Sequence, residues 1–153
     1  MRFASPLSGL PADWRIELPE APTAEQREAV LAPLAAFNSA SGYPGEAVPV
    51  AILIRDEAGT IAGGLWGRTG YDWLFVEFLV VPDALRGRGV GTGLMAAAEE
   101  IALERGCVGA WLTTFTFQAR GFYEKLGYRL FGEIENSPRD NIRLLMKKRL
   151  DGG

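Results

Sequence analysis

The order of elements along this chain predicts an α/β fold, and three observations carry that expectation. The apolar run "WLFVEFLVV" at 73–81 leads into the glycine-rich stretch "LRGRGVGTGLM". Val90, Leu94, Ala97 and Ile101 then recur at helical spacing before a second apolar run, "VGAWLTTF", which makes a strand, loop, helix, strand unit. A hairpin precedes this unit and further strands come after it, so the order of elements is mixed α and β. With 153 residues, 48% of them hydrophobic and 23% charged, the chain suits a single globular domain able to bury its own core, and residues 1–153 are read as one domain.

Each element has a local reason. The opening residues "MRFASPLSGLPADWRIELPE" are Pro-rich and hold one short strand candidate, "WRIEL" at 14–18. Thr23 and Gln26 have capping-box spacing ahead of Val30, Leu31, Leu34 and Phe37. That predicts a helix over about 24–40, which Pro33 should bend or divide. "VAILIRDEAGTIAGGLWGRT" reads as two strands turning near Gly59. The run at 73–81, with its single acid, reads as a central strand covered on both faces. Gly106 should stop the following helix. "QARGFYEKL" reads as a short helix, and "GYRLFGEIE" and "NIRLLMKKRL" as strands.

Composition narrows the function classes. A net charge of −3 with scattered basic residues argues against a nucleic-acid partner, which would be held by many Lys and Arg contacts to phosphates. No apolar run has the length of a membrane span, and the amino terminus carries prolines and acids where a signal peptide needs an unbroken apolar stretch. A cytoplasmic, membrane-free protein is therefore expected. The chain has no histidine and one cysteine, Cys107, so no metal site is expected, and Cys107 reads as a buried structural thiol rather than a nucleophile.

Glycines between a buried strand and a helix clear side chains from outward-pointing N–H groups at the positive end of the helix dipole, which suits an anion such as phosphate. Arg86 and Arg88 add charge and donors. Close packing of helix on strand is the plain alternative. A P-loop would need a lysine that this stretch lacks. A dinucleotide fingerprint fits badly, because Gly87 and Gly89 are followed by Thr92 where a third glycine belongs.

The match is Arg-x-x-Gly-x-Gly, Arg86 to Gly91, after a strand ending "LVVP", and further on comes "TFTFQARGFYEKLGYRLFGEIE". In these two stretches the chain resembles the GNAT superfamily of acyl-CoA-dependent N-acyltransferases. The resemblance implies a mixed, mostly antiparallel central sheet flanked by helices, with acetyl-CoA bound at its splayed centre. Leu79, Val80 and Val81 would pair with the pantetheine arm, and the pyrophosphate would rest on amides of Arg86, Gly87, Arg88, Gly89, Val90, Gly91 and Thr92. Relatives often carry asparagine where this chain has Gln118, which would contact the cofactor or brace the helix; simple helix capping is the plain alternative. Family members often dimerise, so a homodimer is a candidate assembly with no interface identified.

Acyl transfer to an amine needs an uncharged nucleophile, a stabilised oxyanion and a proton for the departing thiolate. Deprotonating an alkyl ammonium at pH 7 costs about 4 to 5 kcal/mol, so a base or a desolvating pocket must contribute. Glu77 is the candidate base, with burial inside its strand expected to tune it; pairing with an arginine is the structural alternative. In some relatives the base lies two positions earlier, where this chain has Phe75. Tyr123 matches the family tyrosine that protonates the thiolate; without that match it would read as core packing. A backbone N–H near Leu79 or Val80 would hold the oxyanion. Asn38, Tyr43, Trp66, Tyr71 and Trp73 lie where the family builds its acceptor pocket, and they are equally ordinary core residues. Relatives often carry a histidine before the last strand, where this chain has "NSPRDNIR", so the acceptor stays open. The expected activity is acetyl transfer from acetyl-CoA to a small-molecule primary amine by direct attack in a ternary complex. A protein N-terminus or lysine as acceptor, or a non-catalytic acyl-CoA sensor, are the alternatives.

Overall fold

The computed structural model describes residues 9–153, and they fall into two units, one ending at Pro44 and one running from Gly45 to Gly153. In the first unit, α1 spans Ala24–Ala40. Its capping box is complete: the Gln26 N–H donates to the Thr23 hydroxyl at 3.2 Å, and the Thr23 N–H donates to the Gln26 side chain at 2.9 Å. Pro33 removes one N–H from the ladder yet does not divide the helix. The strand expected at 14–18 does not form. Pro11 and Pro19 bracket it, no strand pairs with it, and its apolar residues Trp14, Ile16 and Leu18 are exposed.

The second unit is built on a six-stranded sheet in the order β1-β2-β3-β4-β6-β5. The strands are β1 Val48–Arg55, β2 Ile61–Gly70, β3 Trp73–Val80, β4 Gly109–Phe115, β5 Arg129–Glu135 and β6 Ile142–Arg149. Between β3 and β4 lies α2, Val90–Glu104, and between β4 and β5 the short α3, Arg120–Lys125. Every neighbouring pair is antiparallel except β3 and β4, which are parallel because the loop and α2 return the chain to the starting end of the sheet. The mixed α/β, mostly antiparallel architecture is the expected one. Among the described residues no helix is long and apolar enough to cross a membrane.

One face of the sheet carries the core. From α2, Leu94, Met95, Ala98 and Ala102 pack against Val50, Leu65, Leu74, Val76, Ala110, Leu112 and Met146. Alternation along the strands sends every second residue to this face. Cys107, at the foot of β4, belongs to the same core, and burial raises its thiol pKa, in keeping with a structural role. Gly106, just past the end of α2, has a φ of 80°, a conformation that costs a side chain dearly.

Two irregularities shape β3. Its parallel pairing with β4 runs from Trp73 opposite Gly109 only to Val76 opposite Leu112, although both strands continue, so their carboxyl ends part. On its other edge, β3 carries a bulge against β2: Val76 faces Gly67 and Phe78 faces Trp66, which leaves Glu77 as the extra residue. A Cβ at Gly67 would run into the Phe75 carbonyl oxygen, so glycine lets the backbones close at the bulge. Because the bulge inserts one residue, the parity of the strand changes. Leu74 and Val76 point to the core before it, whereas Leu79 packs on the core after it, and Glu77 and Phe78 are consecutively exposed. Within the second unit β3 is covered on one face, not on both as expected, and the bulge decides which residues lie there.

Candidate active site

Where β3 and β4 part, a cleft of about 610 Å³ opens. Its walls are β3 from Val76 to Val80, β4 from Leu112 to Thr114, the segment Phe117 to Ala119, Arg86 from the glycine loop and Tyr123 from α3. The open edge of β3 beyond Val76 has no strand on the β4 side, so its backbone groups there can bond a ligand as a strand would. Of the three residues expected along a pantetheine arm, Leu79 and Val80 line this cleft, while Val81 packs on the core and on the Gly91 contact.

The glycine loop explains itself position by position. Gly87 and Gly89 have φ of 73° and 75°, and a Cβ on either would meet nothing, so the backbone conformation and not space selects glycine there. Gly89 is the N-cap of α2 and brings no side chain to cap it. The first helical amides, of Val90, Gly91 and Thr92, thus lack intrahelical acceptors, and the Gly93 N–H is the first to find one, the Gly89 carbonyl at 3.0 Å. Gly91 differs: a Cβ would stand 3.2 Å from the Phe122 ring and 3.4 Å from Val81. The close-packing alternative holds for Gly91 alone, and that packing docks the start of α2 against α3. Arg86 pairs with Asp83 at 3.1 Å on the exposed surface, and Arg88 has no partner among the described residues.

Two tyrosines of one short motif are treated differently. The Tyr123 hydroxyl has no hydrogen-bond partner among the described residues, and burial raises its pKa above the usual phenol value, so it stays protonated at neutral pH. Tyr128 is almost fully buried and donates to Glu99 at 3.0 Å, while Lys148 donates to the other Glu99 oxygen at 2.8 Å. Burial, then the Glu99 carboxylate, raises the Tyr128 pKa far above the normal range. The two rings meet edge to face with centroids 6.0 Å apart, so the locked tyrosine props the available one. Gln118 does not cap α3, whose N-cap is Ala119. Its side-chain oxygen accepts from the Thr114 hydroxyl at 3.2 Å and from the Phe115 N–H at 3.1 Å, which braces the end of β4 beside the cleft.

Glu77 lines the cleft but is not buried: its side chain is 40% exposed and stands 3.7 Å from the Arg68 guanidinium. The burial expected to tune it is absent, because the bulge turns it to the exposed face. Trp66, register partner of Phe78, is on that face too. Tyr71 and Trp73, expected as acceptor-pocket residues, are not among those lining this cleft. Tyr71 and Asp72, with φ of 46° and 66°, form the two-residue β2–β3 turn, and the Tyr71 ring packs on Gly45. The Trp73 ring packs on Gly109 at the closed end of the β3–β4 pair. Asn38 and Tyr43 belong to the first unit, where the Tyr43 N–H donates to the Asn38 carbonyl at 2.9 Å. Sequence reasoning passed over Arg68 and Phe117. For Arg68 the available signal was its place two residues beyond Trp66, on one face of the same strand.

A family model described as the Acetyltransferase (GNAT) family matches residues 12–128. The chain belongs to the GNAT acetyltransferase family. This GNAT acetyltransferase is 43% identical over 95 residues to the blasticidin-S acetyltransferase of Streptomyces morookaense, a match covering 61% of this chain and 70% of that one. A crystal structure of an Agrobacterium tumefaciens protein superposes with a TM-score of 0.80 at 34% identity, covering 89% of this chain and 99% of that chain. The fold is shared as well with an aminoglycoside 6′-N-acetyltransferase complexed with coenzyme A, with a TM-score of 0.58 at 21% identity over 67% of this chain and 73% of that chain.

Proposed function

We propose that this acetyltransferase moves an acetyl group from acetyl-CoA to the primary amine of a small molecule, by direct attack in a ternary complex. One observation carries the reading: the parting of β3 and β4 makes a single cleft that holds the free edge of β3, an arginine of the glycine loop and the unpartnered Tyr123 hydroxyl. The family match runs through both structural units, which supports taking residues 1–153 as one GNAT domain. The similarity to a protein named for acetylating blasticidin S supports a small-molecule acceptor.

The residues fit the co-substrate. Open φ-positive glycines and uncapped α2 amides suit a pyrophosphate, with Arg86 and Arg88 as flanking cations, and the free β3 edge at Leu79 and Val80 suits an amide-bearing arm. Acetyl-CoA supplies an activated thioester. The chain does the rest: a backbone N–H near Leu79 or Val80 holds the developing negative oxygen, Tyr123 hands its proton to the departing sulfur, and Glu77, acting directly or through water, takes one from the acceptor ammonium. Gln118 keeps the β4 side of the cleft in place.

Calorimetric titration with acetyl-CoA, followed by release of free thiol in the presence of a panel of primary amines, tests the reading. Binding and amine-dependent thiol release are expected. Release only with peptide N-termini or lysine side chains would replace the small-molecule acceptor with a protein, binding with no release from any amine would make the chain a sensor, and absence of binding would overturn the glycine-loop assignment. Glu77→Gln should also lower kcat/KM with acetyl-CoA affinity unchanged, and a wild-type kcat/KM would reduce Glu77 to a partner of Arg68.

A further inference from the structure

The exposed side of β3 carries a second feature that acetyl transfer alone does not require. Arg68 on β2 lies over the Phe75 ring, its guanidinium carbon 4.7 Å from the centroid, and Phe75 in turn packs on Trp111 with centroids 4.2 Å apart. Strand register sets this stack, since Arg68 faces Phe75 across β2–β3 and Phe75 faces Trp111 across β3–β4. An aromatic face holds a planar guanidinium in one orientation and leaves its N–H fork free. The fork makes no hydrogen bond: its ion pair with Glu77, at 3.7 Å, is too long for one, and neither side chain makes one to any other described residue. Both are about half exposed.

We propose that Arg68 and Glu77 together read an amine and a carboxylate on the same acceptor, so that the acceptor is a zwitterion of the amino-acid kind, with its amine at Glu77 and its carboxylate on Arg68. The proposal rests on the function proposed above. Charge favours it over a simple or multiply charged amine. Glu77 is the one acid among the residues lining the cleft and Arg68 is the cation beside it, so an acceptor that carries both an ammonium and a carboxylate meets a complement for each, whereas a plain amine leaves Arg68 unanswered. A bidentate carboxylate–guanidinium pair would also fix the amine's direction toward the open edge of β3. Phe78 and Phe117, both exposed and both lining the cleft, offer apolar contact to a ring or alkyl side chain on that acceptor.

The test compares L-phenylalanine with phenethylamine, and glycine with methylamine, each pair differing by one carboxylate, in the wild type, Arg68→Gln and Arg68→Lys. The quantity read is the ratio of kcat/KM for the acid to that for the plain amine, and comparing this ratio between wild type and variant cancels the intrinsic reactivity of the two amines. Arg68→Gln should lower the ratio at least roughly tenfold, mainly through KM, as expected for losing a hydrogen-bonded charge. Arg68→Lys should keep part of it, since the charge remains without the fork. Acetyl-CoA affinity reports folding, and if Arg68→Gln no longer binds acetyl-CoA, a partial loss in Arg68→Lys carries the test alone. A ratio unchanged by the substitutions, or turnover of plain amines with no carboxylate-bearing amine accepted, would overturn the zwitterion while leaving the proposed function standing. No turnover of any amine would overturn both.

Discussion

The two halves of β3 behave as different structures made from one apolar run. From Trp73 to Val76 the strand is hydrogen-bonded on both edges and alternates cleanly, with Leu74 and Val76 buried in the core under α2. From Glu77 to Val80 it has a partner on one edge only, carries a bulge, and shows two consecutive residues to the exposed face. Stability and chemistry are thereby separated along a single strand: the closed half holds the sheet together, and the open half has backbone groups and side chains left over for a ligand.

That contrast can be attacked from the ligand side first. Gly89→Trp forces a bulky side chain onto a φ of 75° at the start of α2, beside the amides assigned to the pyrophosphate. Acetyl-CoA affinity should fall at least roughly hundredfold, because several charge-assisted contacts are lost together. Calorimetry beside a circular-dichroism melt checks it, and full affinity in a folded variant would remove the loop from the binding site. Tyr123→Phe keeps the ring on Phe122 and Tyr128 but deletes the free hydroxyl. A fall in kcat of roughly hundredfold with little change in acetyl-CoA affinity is expected for a lost general acid, and a wild-type rate would return Tyr123 to core packing.

On the closed half the effects should appear in stability. Leu74 is fully buried, so Leu74→Ala should cost about 2 to 5 kcal/mol in chemical denaturation, while Val80→Ala, half exposed on the open half, should stay within about 0.5 kcal/mol. Equal losses would mean that the open half is packed after all. A smaller loss than that at Leu74 is expected at Tyr128. Its folded pKa lies above the unfolded tyrosine value near 10, so its stabilising contribution is complete below that pH and is lost as pH rises beyond it, by at most about 1.4 kcal/mol per pH unit. Tyr128→Phe should cost about 1 to 2 kcal/mol at pH 7, through the bond to Glu99, and should make the alkaline decline shallower. An unchanged decline would assign the alkaline loss to other groups, Tyr123 among them.

Much of the fold was legible because its signals are local. The capping box at Thr23, the helical spacing from Val90 to Ile101, the break at Gly106 and the short motif around Tyr123 each act within a few residues, and the elements appear where these signals put them. The strand expected at 14–18 failed for the complementary reason, since a strand exists only with a partner and none is paired there. The position of Tyr71 and Trp73 outside the cleft lining was not legible, because aromatic composition says nothing of which end of a strand pair opens.

Read alone, the residues settle the family, the order of elements and the glycine loop with its following helix, because backbone conformation and periodicity are written into neighbouring positions. Tertiary contact was needed to settle that Glu77 is exposed rather than buried, that it faces Arg68, and that Tyr123 keeps a free hydroxyl while Tyr128 does not. Those outcomes depend on a one-residue bulge and on two parallel strands parting after Val76, and both arise from pairing between segments far apart in the chain.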